Sequence, residues 1–212
     1  MSETIERERF HETDWRVVRD DASTHFRTGS FAAGVALVDA IGRLADAANH
    51  HPDVDLRYHG VTVRLKTHSE GGLTERDVAL ARQISEVARE MGVPVDLTGL
   101  QTVQVAIDAL VIPEVLPFWR AVLGYTDVDD EDLWNPRRQG PPFWFQQMDV
   151  PRPQRNRIHI DVYVPHDQAE ARVAAALAAG GHVVSDENAP GWWTLADAEG
   201  NEVDVASWPD RD

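Results

Sequence analysis

Apolar positions in the first half of the chain switch between a period of two and a period near 3.6, the marks of strands and helices. Trp15-Arg16-Val17-Val18-Arg19 mixes large and charged residues, Asp20-Asp21-Ala22-Ser23 reads as a turn, and Thr24 to Arg27 returns as the second strand of a hairpin. Ser30 is placed to cap a helix reaching about Asn49, with Phe31, Val35, Val38, Ile41, Leu44 and Ala45 as its buried stripe. Leu56 to Tyr58 and Val61 to Leu65 read as strands about a turn at His59-Gly60, with Val61, Val63 and Leu65 on one face. Thr74 opens a second helix with Val78, Ala81, Ile84, Val87 and Ala88 inward; Gly92 followed by Pro94 stops it. This order predicts an α+β fold in which helices cover one face of an antiparallel sheet.

Periodicity breaks between Gly92 and Leu100, which divides residues 1–98 from residues 99–212. Beyond the break the pattern repeats. Val103 to Asp108 is a strand, Glu114 to Leu123 a helix, and Gly124-Tyr125 leads into the next strand; Leu133-Trp134 and Phe143 to Met148 follow. Arg157 to Val164, Gln168 to Ala179, Gly180-Gly181-His182, Trp192 to Leu195 and Glu202 to Ala206 run through the same series. The repeat predicts paired βαβββ modules that close a core together.

Composition narrows the functions open to such a fold. The 212 residues carry 20 Lys and Arg against 36 Asp and Glu, a formal charge of −16. A field of that sign repels phosphate backbones and anionic headgroups, so neither nucleic acid nor a membrane surface is an expected partner. There is no cysteine, which removes disulfides, thiolate nucleophiles and Cys-ligated zinc. The charged N-terminus lacks the apolar run of a secretory signal, and the expected location is cytoplasmic.

Chemistry concentrates in three of the nine histidines: His50, His51 and His68. His50-His51 follows a helix end and is fixed in direction by Pro52; His68 is expected at the end of the strand whose register Val61, Val63 and Leu65 set. Imidazole is neutral or charged near pH 7 and can give or take a proton, so this placement suits acid–base work. By spacing alone an exposed His-His loop, or a metal site, remains open, although no carboxylate stands at a His-Glu-x-x-His interval.

Asp46-Ala47-Ala48-Asn49-His50-His51-Pro52, Tyr58, Thr67-His68-Ser69 and Gly72-Leu73-Thr74-Glu75-Arg76-Asp77 resemble the signature of the pterin-4a-carbinolamine dehydratases. Five residues separate Pro52 from Tyr58, nine separate Tyr58 from His68, and eight separate His68 from Asp77. The resemblance covers roughly residues 10–92. It implies a hydro-lyase acting on 4a-hydroxytetrahydrobiopterin and related pterins, with His50, His51 and His68 as the catalytic set. It implies no cofactor and no metal, and it suggests a homo-oligomer. Asp46 is expected to orient His50, Asp77 to close a capping box in preference to acting directly in catalysis, and Tyr58 to pack more than to touch a ligand. Thr67 and Ser69 could bond the pterin beside His68.

Residues 100–208 resemble the glyoxalase/bleomycin-resistance superfamily, the vicinal oxygen chelate proteins. The resemblance rests on Val105 to Asp108, Pro117 to Tyr125, Asn156 to Val162 and Asp197 to Asp204. Metal-dependent members use a His on the first strand of each half and a carboxylate on the last. Only His159 and Asp204 match here; Thr102 or Gln104, and Gln146 or Gln147, stand at the other positions, so a metal-free module is expected. Trp119, Trp134, Trp144, Trp192 and Trp193 could line a pocket for a planar ligand or fill a small core. The rival readings are a lyase, dioxygenase or small-molecule resistance protein acting through this half, and a non-catalytic regulatory dimer.

Overall fold

The computed structural model describes residues 5, 7–10, 13–151, 160–164 and 166–206. The chain divides into two compact units, Met1–Thr102 and Val103–Asp212. Both are α+β.

In the first unit, β1 (Arg16–Val18), β2 (Asp21–Arg27), β3 (Asp53–Arg57) and β4 (Gly60–Leu65) form one antiparallel sheet of order β1-β2-β4-β3. Helices α1 (Phe31–Ala48) and α2 (Glu75–Glu90) cover one face. Val61, Val63 and Leu65 are fully buried beneath them, together with Ala22 and Phe26 of β2. The first hairpin turns at Arg19-Asp20 and not over residues 20–23, because Ala22 belongs under the helices and pairs with Leu65. β3 begins at Asp53, which moves the next turn to Tyr58-His59.

Ser30 caps α1 by accepting the Ala33 amide, and Thr74 caps α2. The buried stripe of α1 is Gly34, Leu37, Ile41 and Ala45, whereas Phe31 and Val35 are exposed. Gly34 explains the rotation: a Cβ there would stand 2.5 Å from Leu56 Cδ1, so the helix approaches β3 along a line with no side chain at that point.

The second unit is a duplicated fold. β5 (Val105–Ala109), α3 (Ile112–Leu123), β6 (Thr126–Asp127), β7 (Asp132–Trp134) and β8 (Phe143–Gln147) make the first module. β9 (Ile160–Tyr163), α4 (His166–Ala178), β10 (His182–Ser185), β11 (Trp192–Ala196) and β12 (Glu202–Ala206) make the second. Their sheets have the same topology, β5-β8-β7-β6 and β9-β12-β11-β10, with first and last strands parallel. Residues 157–159 of the expected strand lie outside the described residues.

One core joins the modules, with Phe118, Trp119, Phe143 and Phe145 from the first and Leu195, Val203 and Val205 from the second. The Asp197 to Asn201 turn fastens it. Buried Asp197 accepts Trp119 Nε1 at 2.9 Å and the amides of Glu199 and Asn201. Glu199 accepts the Leu110 and Val111 amides, both at 2.7 Å, at the N-terminus of α3, where a carboxylate is favoured. Among the described residues no helix is long and apolar enough to cross a membrane.

Candidate active site

The end of α1 builds the first half of the site. Asn49 takes the left-handed conformation (φ 46°), which asparagine tolerates, and the His50 amide bonds back to the Ala45 carbonyl at 3.0 Å. The left-handed step sends consecutive histidines in opposite directions. His50 turns inward and is 6% exposed; His51 turns out.

Asp77, in the first turn of α2, meets His50 from the other side, its Oδ1 lying 2.7 Å from His50 Nε2. The other carboxylate oxygen is already occupied. Thr67 Oγ1 and the Thr74 amide each donate to Oδ2 at 2.7 Å, and Thr74 Oγ1 lies 3.3 Å away. Thr67 and Thr74 hydroxyls also bond each other at 2.8 Å. Asp77 is completely buried, and a buried carboxylate persists only when its lone pairs are satisfied. Asp77 therefore serves both as capping-box residue of α2 and as partner of His50. Arg76 ties the two halves by donating to the Asn49 carbonyl, a contact that sequence spacing gave no reason to expect.

Asp46 bonds His51 and not His50, with Oδ1 2.9 Å from His51 Nε2 and both side chains exposed. His68 is exposed and begins a short 3-10 turn, His68–Glu70, that follows β4 instead of standing on it. Since Asp53 pairs with Arg64, the start of β3 and the end of β4 lie at one end of the sheet. His50, His51 and His68 thus flank that same end.

Tyr58 does not. It sits in the β3–β4 turn, 65% exposed and edge-on to His59, separated from the histidines by the length of β3, roughly 17 Å at strand rise. Thr67, 2% exposed with its hydroxyl given to Asp77, supports the pair from within instead of facing outward beside His68. Ser69 is exposed next to His68.

A carboxylate-held imidazole is oriented and is stabilised when protonated, which is what proton transfer asks of it. Two such pairs lie at one sheet end with His68, and the comparisons place this half of the chain in a family. The pterin 4 alpha carbinolamine dehydratase family model matches residues 1–87. A protein of Nocardia farcinica, provisionally named a pterin-4-alpha-carbinolamine dehydratase, is 51% identical over 76 residues, which are 36% of this chain and 80% of that relative. The chain belongs to the pterin-4-alpha-carbinolamine dehydratase family.

This dehydratase domain is also similar, at 30% identity, to the crystal structure of a transcriptional coactivator/pterin dehydratase from Brucella melitensis. That match has a TM-score of 0.34 and covers 35% of this chain and 82% of the other. The dehydratase domain is followed by a glyoxalase-like domain, whose family model matches residues 104–206. A glyoxalase-related enzyme from Fulvimarina pelagi is 16% identical, with a TM-score of 0.38, over 52% of this chain and 88% of its own.

The glyoxalase-like fold raises the question of a divalent metal. Asp204 pairs in parallel register with Asp161 on β9, and His159 lies outside the described residues. Among the described residues no three His, Asp or Glu side chains converge as a metal ion needs, so those residues do not fit one. The tryptophans differ in their surroundings. Trp119 is core, Trp193 packs against it, Trp192 is 42% exposed, and Trp134 carries the Arg138 guanidinium 4.4 Å above its ring.

Proposed function

We propose that the first unit dehydrates 4a-hydroxytetrahydropterins by proton transfer among His50, His51 and His68, without a metal. The reading rests on one observation above all: a buried His50–Asp77 pair and an exposed His51–Asp46 pair share a sheet end with His68. In the reaction the C4a–O bond breaks, its electrons leave with oxygen, and a proton from an imidazolium makes the leaving group water. The lone pair of a ring nitrogen closes a C=N bond to C4a, and the proton on that nitrogen passes to a neutral imidazole. One acid and one base suffice, each contributing roughly 10²–10⁴-fold.

With Asp77 accepting at Nε2, which holds the ring in one orientation, His50 has Nδ1 to exchange a proton. His51 and His68, both exposed, are the imidazoles that a substrate reaches first. The same reading makes the glyoxalase-like unit accessory and the chain a homo-oligomer. The test is the dehydration rate of a freshly generated 4a-hydroxytetrahydropterin with the purified chain before and after dialysis against EDTA. The rate should rise well above the spontaneous one and be unchanged by chelation; loss restored by one divalent ion would contradict the metal-free route.

A further inference from the structure

The sheet face turned away from the helices of the first unit carries its own polar cavity. Register places Ser23 opposite Arg64 and His25 opposite Thr62, alternating with the buried residues of β2 and β4, so these four share the open face. The segment after α2 then crosses it. The Arg27 amide bonds the Pro94 carbonyl at 2.9 Å and the Asp96 amide bonds the His25 carbonyl at 2.8 Å, which pins the segment to the free edge of β2. Residues 96–102 enclose, with β1, β2 and β4, a cavity of about 340 Å³, within the range of small-molecule sites.

Two opposite charges line it without touching. The Arg64 guanidinium is half-buried and, among the described residues, makes no ion pair or hydrogen bond; its cross-strand neighbours are Ser23 and Asp53. Asp96 accepts from the Thr98 amide at 3.1 Å and the Thr98 hydroxyl at 2.6 Å, and Arg27 stands 3.7 Å away. The Thr98 hydrogen bonds hold its carboxyl below the usual carboxylate range, so it is anionic at neutral pH. Val18 and Leu100 supply apolar wall.

We propose that this cavity binds a free α-amino acid, its carboxylate on Arg64 and its ammonium on Asp96. A guanidinium takes a carboxylate through paired N–H bonds, and the Ser23 hydroxyl stands beside it; the Thr62 hydroxyl is already bonded to His25 Nδ1 at 2.9 Å. Arg64 is the charge without a protein partner among the described residues and takes the carboxylate; Asp96, already facing Arg27 at 3.7 Å, offers the ammonium a shared acceptor, so a zwitterion suits the pair better than a simple anion or a simple amine. The site lies on the face opposite the His50–Asp77 pair, so it is independent of the dehydratase reading.

The test is calorimetric titration of the full chain with each of the twenty common L-α-amino acids. For the tightest, the matching amine lacking the carboxylate and the acid lacking the ammonium are titrated too. At least one amino acid should bind, and both fragments more weakly. Arg64→Gln should weaken the amino acid and the acid roughly tenfold or more and leave the amine unaffected; Asp96→Asn should do the reverse. Gly99 lines the cavity with open space where a Cβ would stand, so Gly99→Trp should abolish binding while keeping the fold. Absence of binding by all twenty at millimolar concentration would overturn the proposal, as would wild-type amino-acid affinity in Arg64→Gln or Gly99→Trp.

Discussion

At the scale of single residues, the site separates side chains that act from side chains that hold. His51 and His68 are exposed, so their truncation removes little packing. His51→Ala and His68→Ala are each expected to lower kcat by about 10²-fold or more, with thermal midpoints little changed. Thr67→Val should behave in the opposite way. It removes one donor from a wholly buried carboxylate, and a stability loss of about 1–3 kcal/mol is expected in urea unfolding. The three histidines stand out in the sequence because several intervals agree at once, and the structure puts them at one sheet end. The partner of Asp46 was not legible there. Four residues on a continuing helix would have placed His50 above it, but α1 ends at Ala48 and the left-handed step at Asn49 hands that position to His51. Tyr58, expected to pack, is 65% exposed, because β3 ends at Arg57 and leaves it in the turn.

Elements were read correctly wherever local chemistry decided them. Ser30 and Thr74 cap their helices as serine and threonine should, and the alternation of Val61, Val63 and Leu65 fixed the face of β4. The reading failed where an element is placed by the absence of a side chain. The expected stripe on α1 runs through Phe31, Val35 and Val38 and misses Leu37, whereas contact runs along Gly34 and Leu37, because bulk at position 34 would have kept α1 away from Leu56. Gly60 makes the same point in the sheet: a Cβ there would stand 2.6 Å from the Phe26 carbonyl oxygen and 2.5 Å from His25 Nε2. Gly60→Ala is expected to cost about 1–3 kcal/mol in denaturant titration, because backbone must shift to admit the methyl group. In the second unit, Asp197→Ala should cost about 3 kcal/mol, leaving the buried Trp119 N–H and two turn amides without their acceptor.

In the whole molecule the proposed chemistry belongs to one unit, and the described residues of the other do not assemble a metal centre. The duplication of that second unit was visible as a repeated series of strand and helix periods, and the two sheets repeat one another strand for strand. The proposed homo-oligomer is checked by light scattering on the purified chain, which should give a mass above that of one chain. The two units, Met1–Thr102 and Val103–Asp212, are each of a size that folds alone. The most direct test of the central claim is therefore turnover of a 4a-hydroxytetrahydropterin by residues 1–102 expressed alone, measured beside the same fragment carrying His51→Ala and His68→Ala. The account predicts a folded fragment with the full chain's rate and a folded double variant near the spontaneous rate. A folded wild-type fragment without activity, or a double variant as fast as the wild type, would contradict it.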